Sequence, residues 1–244
     1  MEIQGEQAFA PAAAQLLLGG RETVAPTLIE GYFACPYRNF AERGLRLMRQ
    51  EEKSVRALDA GNYMHELLRL LAPAIARLPD IPACEAFMRA RAEELLAAPP
   101  YCYLADTGAG SFAARALVEE AVVIGRQVFE QVKGSAYTVA AAEQSFGYPG
   151  SPIGGIPLRA GGRTYTVAGK IDRIDRSGEY VRVVDYKTGR MQVKPTDYYT
   201  GRKLQLELYL SAASAGGKPA GAYYCPARVG FVPPEEKAPF RMEG

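Results

Sequence analysis

The stretch GKIDRIDRSGEYVRVVDYKTG, residues 169–189, carries the clearest structural signal in the chain. On each side of Ser177-Gly178, β-branched residues alternate with charged or polar ones, a pattern typical of strands. The intervening turn contains a glycine that is free to take a positive φ, which two-residue hairpin loops favour. The sequence therefore predicts two antiparallel strands joined by a tight hairpin.

The assumed loop fixes a register, and the register places three charged side chains. If Ser177 and Gly178 form the loop, residues whose numbers sum to 355 oppose each other. Asp172 then faces Val183, and Lys170 faces Asp185. Asp172 and Asp185 become diagonal neighbours on one face, roughly 7–8 Å apart at Cα. Lys187, two residues beyond Asp185, points to the same face.

Asp172 and Asp185 each end an apolar run, where burying a charge is costly unless the charge is paired or binds a metal. Two carboxylates at this spacing suit a hard cation such as Mg²⁺, which prefers oxygen ligands. A lysine beside the cation suits an anionic phosphate, because it can stabilise developing negative charge. The pattern therefore predicts phosphodiester hydrolysis, with Asp172, Asp185 and Lys187 as catalytic residues. The competing interpretation is ordinary alternation of Asp and Lys on exposed strands.

Outside the hairpin, the sequence predicts mainly helices in the first half of the chain and mainly strands in the second half. The helices are Pro26–Leu47 (interrupted at Cys35-Pro36), Gly61–Leu78, Ala83–Ala97, Ser111–Lys133 and Lys203–Ala215. The predicted strands are Tyr137–Phe146, Ile156–Leu158, Arg163–Asp175, Tyr180–Lys187 and Ala220–Cys225. We predict an α/β (α+β mixed) fold, a central mixed β-sheet flanked by helices in an α-β-β-β-α-β core. Residues 1–25 form a tail or extra helix, and one domain spans 26–244, with a helical part at 26–135 and a sheet core at 136–230.

Four further residues are candidates for the site. His65, the sole histidine, lies on a predicted helix. It is either a metal ligand or a structural residue whose ring nitrogens have hydrogen-bond partners. Glu143 begins a strand and either binds metal indirectly or lies at a helix–strand junction. Gln205 and Tyr209 are four apart and share one helix face, which suits phosphate or base contacts. The competing interpretation of Tyr209 is core packing.

Composition narrows the class of protein. Eleven Lys or Arg and five Asp or Glu lie between Arg159 and Lys203, which favours a phosphate backbone as the partner, although a solvated face of mixed charge would look alike. No apolar run is long enough for a membrane span. The N-terminus is acidic, so we expect a cytoplasmic protein with no membrane partner. The four cysteines include no CxxC pair, which disfavours an ordinary zinc site.

Six motifs occur in an order that resembles the PD-(D/E)XK nuclease superfamily and, within it, the RecB-like exonuclease domains. They are CPYRNF at Cys35, GNYMHELL with His65, AEQSF with Glu143, GKIDRID with Asp172, VVDYKTG with Asp185 and Lys187, and QLELY with Gln205 and Tyr209. The CPYRNF segment is most similar to the C-terminal nuclease domain of AddB-type helicase–nuclease proteins.

The resemblance implies a restriction-endonuclease-like core and a DNA nuclease of double-strand break repair that acts on single strands delivered by a helicase. It implies that His65, Asp172 and Asp185 ligate Mg²⁺ or Mn²⁺, that Lys187 is the catalytic lysine, and that Gln205 and Tyr209 hold the DNA strand. Strand polarity and the balance of exonuclease and endonuclease activity stay open. Two alternatives also stay open: a non-catalytic DNA-binding module on a nuclease fold, and a CRISPR-associated nuclease of the same superfamily.

An iron–sulfur cluster is the family feature that this sequence matches least. The family pattern has one cysteine in the CPY motif and three after the nuclease core. Cys35 fits the first position, but after Tyr209 the chain has only Cys225. We therefore do not expect a complete four-cysteine cluster, and Cys35 is either its remaining ligand or a buried free thiol.

Overall fold

A computed structural model describes residues 22–47, 57–105, 108–160, 162–189 and 194–228. The described residues form two compact units. The sheet unit comprises 22–47, 137–185 and 194–224. The helical unit comprises 57–105, 108–136, 186–189 and 225–228. Of the predicted tail or extra helix at 1–25, residues 22–25 are described, and Thr23–Val24 form a short strand there. The predicted partition at 135/136 stays a prediction.

The strands form two sheets. In chain order they are β1 (Thr23–Val24), β2 (Thr138–Phe146), β3 (Ile156–Ala160), β4 (Arg163–Val167), β5 (Gly169–Ser177), β6 (Tyr180–Lys187) and β7 (Lys218–Pro226). A four-stranded sheet has the order β2-β5-β6-β7, and a three-stranded sheet has the order β1-β4-β3. β5 is antiparallel to both neighbours, β2 and β6.

The last strand makes the larger sheet mixed. The amide of Lys218 donates to the carbonyl of Glu179 at 2.7 Å, near the start of both β7 and β6. The amide of Ala227 donates to the carbonyl of Lys187 at 2.8 Å, near the end of both strands. β7 therefore runs parallel to β6, and the predicted mixed sheet is confirmed.

The helices are α1 (Pro26–Ala34), α2 (Pro36–Asn39), α3 (Ala57–Ala74), α4 (Ile81–Ala97), α5 (Gly108–Lys133), α6 (Pro195–Tyr199) and α7 (Gln205–Ala213). A π-helical turn, Phe40–Gly44, continues α2, and 3₁₀ turns lie at Ile75–Arg77 and Cys102–Ala105. The predicted α/β class with helices around mixed sheets is thus confirmed.

One predicted strand, Arg163–Asp175, is two strands in the structure. The chain leaves the smaller sheet at Ala168, whose amide still donates to the carbonyl of Val24 at 3.0 Å. The larger sheet then begins at Gly169. A Cβ on Gly169 would lie 3.0 Å from Cε1 of Phe146, so the glycine allows the strand to enter the sheet beside that ring.

The hairpin between β5 and β6 does not have the predicted register. Ser177 pairs with Tyr180, so Gly178 and Glu179 form the loop, and the paired numbers sum to 357. Gly178 occupies the first loop position with φ +56°, which glycine adopts without steric cost. The prediction that Asp172 faces Val183 is therefore wrong, because Val183 pairs with Ile174. The displacement is two residues, so every side chain keeps its predicted face.

The core of the sheet unit lies between the larger sheet and α7. It includes residues of β2, β5, β6 and α7, namely Phe146, Ile171, Ile174, Val181, Val183, Tyr209, Ala212 and Ala213, together with Val167 of β4. Partly buried Ile29 of α1 packs against the same cluster. The β-branched residues of GKIDRID and VVDYKTG thus build the surface on which α7 lies.

Three charged residues, two of them fully buried, contact one another on the other face of β5 and β6. Arg173 and Asp175 are fully buried, and Arg173 Nε lies 3.0 Å from Asp175 Oδ1. Arg182 Nε donates to Asp175 Oδ2 at 2.9 Å. The guanidinium of Arg182 also lies 4.4 Å from the ring centre of Tyr137, a cation–π distance. Two guanidiniums therefore share one carboxylate.

The helical unit contains α3, α4 and α5 around its own apolar core. The buried side chains include Met64, Leu67, Leu68, Leu71, Met88, Val118, Ile124 and Phe129. Asp80 caps α4, since its side chain accepts a hydrogen bond from the amide of Ala83 at 2.9 Å. A Cβ on Gly125 would lie 2.4 Å from Met88 Cγ, so α4 and α5 approach closely there.

None of the helices within the described residues has the length and apolar character that crossing a membrane demands.

Candidate active site

Asp172 and Asp185 lie on the neighbouring strands β5 and β6. The observed register, continued one residue beyond the Arg173–Val184 pair, sets Asp172 opposite Asp185 rather than diagonal to it. Asp185 is almost completely buried, with 1% of its surface exposed, and Asp172 is half-buried. Lys187 is half-buried at the end of β6 and shares the face of Asp185. The hairpin therefore presents two acids and one lysine on a single face.

A third carboxylate joins Asp172 from the other side. Ala142 and Gln144 of β2 pair with Arg173 and Ile171 of β5, so Glu143 lies opposite Asp172. Their carboxylate oxygens lie within 4.8 Å of each other. Lys170 forms an ion pair with Glu143. The prediction that Lys170 faces Asp185 is therefore wrong, because the true register moves Lys170 away from that position.

The backbone at Glu143 is strained. Its φ is +50°, although it lies inside a strand and is not a glycine. A left-handed conformation costs an L-residue with a Cβ roughly 1–2 kcal/mol. Such strain persists where the surrounding structure enforces it, and it concentrates at functional sites. The sequence carries no sign of this conformation.

We expect glycine to be more stable than alanine at position 143 by about 1 kcal/mol. Both Glu143→Gly and Glu143→Ala remove the carboxylate, so their difference isolates the backbone, and only glycine accepts a positive φ at no steric cost. At the neighbouring Gln144, alanine should be the more stable residue, because glycine inside a regular strand costs roughly 0.5–1 kcal/mol. Urea unfolding of the four variants measures both differences. Alanine equal to or better than glycine at 143 would rule out the strain.

Gln205 and Tyr209 meet on one face of α7, as predicted. The Gln205 amide donates to the Tyr209 hydroxyl at 2.9 Å, and both side chains are buried. Burial raises the pKa of Tyr209 to about 12; the hydrogen bond from Gln205 opposes this rise, and the carboxylates of Asp185 and Asp172 add to it. The Tyr209 hydroxyl is therefore protonated at neutral pH, and its hydrogen can be donated to another oxygen.

Two residues near these acids were not anticipated from the sequence. Glu30 of α1 accepts hydrogen bonds from the backbone amides of Leu204 and Gln205, at 2.7 and 2.8 Å, and so caps α7. Burial raises the pKa of the Tyr224 hydroxyl, and Glu30 and Asp185 raise it further. Glu30 lies within the helix before CPYRNF and Tyr224 within YYCPAR, but neither position carries a spacing signal by itself.

His65 is half-buried on α3 in the helical unit. Its ring lies edge-on to the ring of Tyr186, with centroids 6.2 Å apart. On the same helix, a Cβ on Gly61 would lie 3.0 Å from the hydroxyl oxygen of Thr188. The GNYMHELL helix therefore packs against the YKT residues that end β6. Because His65 and the three acids belong to different units, its role as a metal ligand stays a prediction.

The cysteines of the described residues are all free thiols. Cys35 is exposed at the junction of α1 and α2, so the expectation of a buried thiol there is wrong. It is Cys84 that is fully buried, and burial raises its thiol pKa to about 11. Cys225 lies on β7 and belongs to a strand. The role of Cys35 as a cluster ligand stays a prediction.

Comparison with known sequences decides the family. The sequence model of the PD-(D/E)XK nuclease superfamily matches residues 23–240, nearly the whole chain. This chain belongs to that superfamily. The resemblance carried by the six motifs is thereby confirmed.

Curated members of the superfamily that resemble this chain are named as subunits of ATP-dependent helicase/deoxyribonucleases, the AddB proteins. The protein of Symbiobacterium thermophilum is 32% identical over 94% of the chain and 22% of its own length. The protein of Desulforudis audaxviator is 30% identical over 93% of the chain and 22% of its own length. That of Pelotomaculum thermopropionicum is 29% identical over 85% of the chain. The chain thus spans about a fifth of these relatives.

PD-(D/E)XK nucleases use divalent metals, and the acids of the sheet unit fit one. Asp172, Asp185 and Glu143 offer the oxygen donors that hard cations prefer. The carboxylates of Glu143 and Asp172 approach closely, and a bound cation would add to the positive charge that Lys170 already places beside Glu143. Sulfur donors are not part of this set, which suits Mg²⁺ or Mn²⁺ better than softer metals.

Proposed function

We propose that the chain is a divalent-metal-dependent deoxyribonuclease that hydrolyses phosphodiester bonds at DNA ends. We propose that it acts as an exonuclease in double-strand break repair, in the cytoplasm, on single strands unwound by a helicase partner. One observation carries the proposal: Asp172, Asp185 and Lys187 share one face of a hairpin whose register sets the two acids opposite each other. Superfamily membership supplies the reaction class.

Asp172 and Asp185 would hold Mg²⁺ or Mn²⁺, with Glu143 as a further acid and His65 as the ligand that the family resemblance adds. A bound divalent ion lowers the pKa of a coordinated water and stabilises negative charge on the phosphate. The other roles, which are to orient the water and the DNA strand and to stabilise charge in the transition state, fall to side chains of the chain. We assign each role from the position of the side chain.

Lys187 supplies a positive charge on the face of the two acids. An ammonium group there orients the attacking water and stabilises the extra negative charge on phosphorus in the transition state. Gln205 and Tyr209 supply neutral donors on the covering helix. Because Tyr209 accepts from Gln205 and stays protonated, its hydroxyl can donate to a phosphate oxygen and so orient the strand.

The names of the relatives support the choice of substrate and partner. Each name describes part of a helicase/deoxyribonuclease, and this chain corresponds to about a fifth of such a protein. DNA as the substrate and a helicase as the partner are therefore part of the proposal. The excess of Lys and Arg between 159 and 203 agrees with a phosphate backbone.

The test is cleavage of end-labelled DNA by the purified chain with Mg²⁺, with Mn²⁺ or with EDTA. We expect single-stranded DNA to be degraded with either metal and to stay intact with EDTA. Products that shorten progressively from one end would support exonuclease action.

A chain that binds DNA with a steep salt dependence, yet cuts it with neither metal, would instead be a non-catalytic binding module. That outcome would overturn the proposed function.

A further inference from the structure

Three large aromatic rings lie exposed on neighbouring parts of the sheet unit. Tyr32 and Phe33 of α1 are 56% and 50% exposed, and Tyr199 at the end of α6 is 96% exposed. These three residues form what we call the aromatic surface. Clustered exposed rings favour a binding surface over an inert one.

Contacts join the two parts of the aromatic surface. The rings of Tyr32 and Phe33 meet edge-to-face, with centroids 5.8 Å apart. The ring of Phe33 also lies against Gly201, where an added Cβ would come within 2.8 Å of Phe33 Cδ2. Gly201 has φ +74°, so a side chain there would be strained as well as crowded. Phe33 therefore rests on the segment that carries Tyr199.

A second anchor fixes the same two parts. Glu30, one helical turn before Phe33, accepts from the amides of Leu204 and Gln205. α1 is thereby tied to the first turn of α7, the helix that carries Gln205 and Tyr209. The aromatic surface is thus held in a defined position relative to the phosphate donors of the proposed site.

Basic and acidic side chains both lie beside the rings. Lys194, Arg202 and Lys203 flank Tyr199 along the chain. The nearby acids are Asp197, Glu30 and Glu207. Asp197 accepts a hydrogen bond from the amide of Lys194 at 3.1 Å, and Glu30 accepts from the amides of Leu204 and Gln205, so these two carboxylates cap helices. Rings combined with cations suit a polyanion whose own rings are unpaired.

We propose that the aromatic surface, with Arg202 and Lys203, binds single-stranded DNA by stacking unpaired bases on its rings. Bases within a duplex already stack on one another, so this surface selects single strands. The inference rests on the proposed function and deepens it, because it names the surface that holds the single strand and the stacking contacts that do so.

The experiment measures DNA binding without cleavage, so every protein carries Lys187→Ala. Tyr32→Ala with Tyr199→Ala removes two rings, and fluorescence anisotropy reports binding to a labelled oligothymidylate of about 20 nucleotides and to a duplex of equal length. We expect affinity for the single strand to fall on the order of tenfold for each ring, with duplex affinity unchanged. Tyr32→Phe with Tyr199→Phe should keep full affinity, since the rings remain.

Tyr180→Ala is the matched control, because Tyr180 is an exposed tyrosine at the β5–β6 hairpin. It should leave both affinities unchanged. An unchanged single-strand affinity in the double alanine variant would overturn the inference. It would indicate that the exposed rings bind a protein instead of DNA. An equal loss on single strand and duplex would also overturn it. If the chain with Lys187 intact fails to cut DNA while ring removal still weakens single-strand binding, the proposed function fails and this inference stands.

Discussion

Lys187→Ala should lower metal-dependent DNA cleavage by about a thousandfold while the chain stays folded. Removing one preorganised charge-stabilising group costs about 10²–10³ in rate in well-studied active sites. Lys187 is half-buried at the end of β6 and is not part of either apolar core, so its loss should change the unfolding temperature little. Initial rates of cleavage at saturating Mg²⁺ measure the effect.

Lys218→Ala is the control for that result. Lys218 is an exposed lysine at the start of β7, and its ion pair with Glu179 lies at the hairpin, the end of β6 away from Lys187. Its removal should leave the rate unchanged. If Lys187→Ala cuts DNA at the normal rate, the assignment of the catalytic lysine is wrong.

Asp185→Asn should abolish the stabilisation of the chain by Mn²⁺ or Mg²⁺. A metal present at 100 times its dissociation constant raises the free energy of unfolding by about 2.7 kcal/mol if it binds only the folded state. In a domain of this size, that corresponds to a rise of about 5–10 °C in unfolding temperature. Asn keeps the shape of the side chain but removes the charge that attracts the cation. Thermal unfolding with and without metal measures the loss independently of cleavage.

Glu179→Gln is the matched control for the metal test. Glu179 is an exposed acid in the hairpin loop, and its neutralisation should leave the metal-dependent shift intact. A full shift in Asp185→Asn would show that the cation binds elsewhere. A full shift together with lost cleavage would assign Asp185 to the chemistry but not to metal binding.

Strand and helix positions could be predicted because periodicity is a local property. β6 begins and ends at the predicted residues, Tyr180 and Lys187, and β2 begins one residue later than predicted. The short elements Thr23–Val24 and Pro195–Tyr199 were not predicted, and the predicted strand through Ala168 is two strands. Nothing local distinguishes one long strand from two that belong to different sheets, because the partner strands are remote in sequence.

The face of Asp172, Asp185 and Lys187 could be predicted, but the opposition of the two acids could not. Side chains alternate with a period of two, so either loop position gives the same face. The glycine can occupy either position of a two-residue loop, and the sequence of the turn alone does not choose between them.

The contributions of Glu143, Glu30 and Tyr224 depend on contacts between distant segments. Glu143 was a candidate, but its left-handed backbone arises from its place in β2. Glu30 caps a helix 174 residues away along the chain, which no motif or spacing reports. Such residues become visible only when the chain is folded.

The two arginines that contact the buried Asp175, Arg173 and Arg182, bear on which residues form the hairpin loop. If the loop moved to Ser177 and Gly178, Arg182 would lie opposite Arg173, and Asp175 would lose its partner across the strands. Like charges directly opposite each other destabilise a pair of strands, so the shifted pairing is disfavoured. Arg173, Asp175 and Arg182 take no part in the proposed chemistry. Their charges nevertheless favour the register that sets Asp172 opposite Asp185.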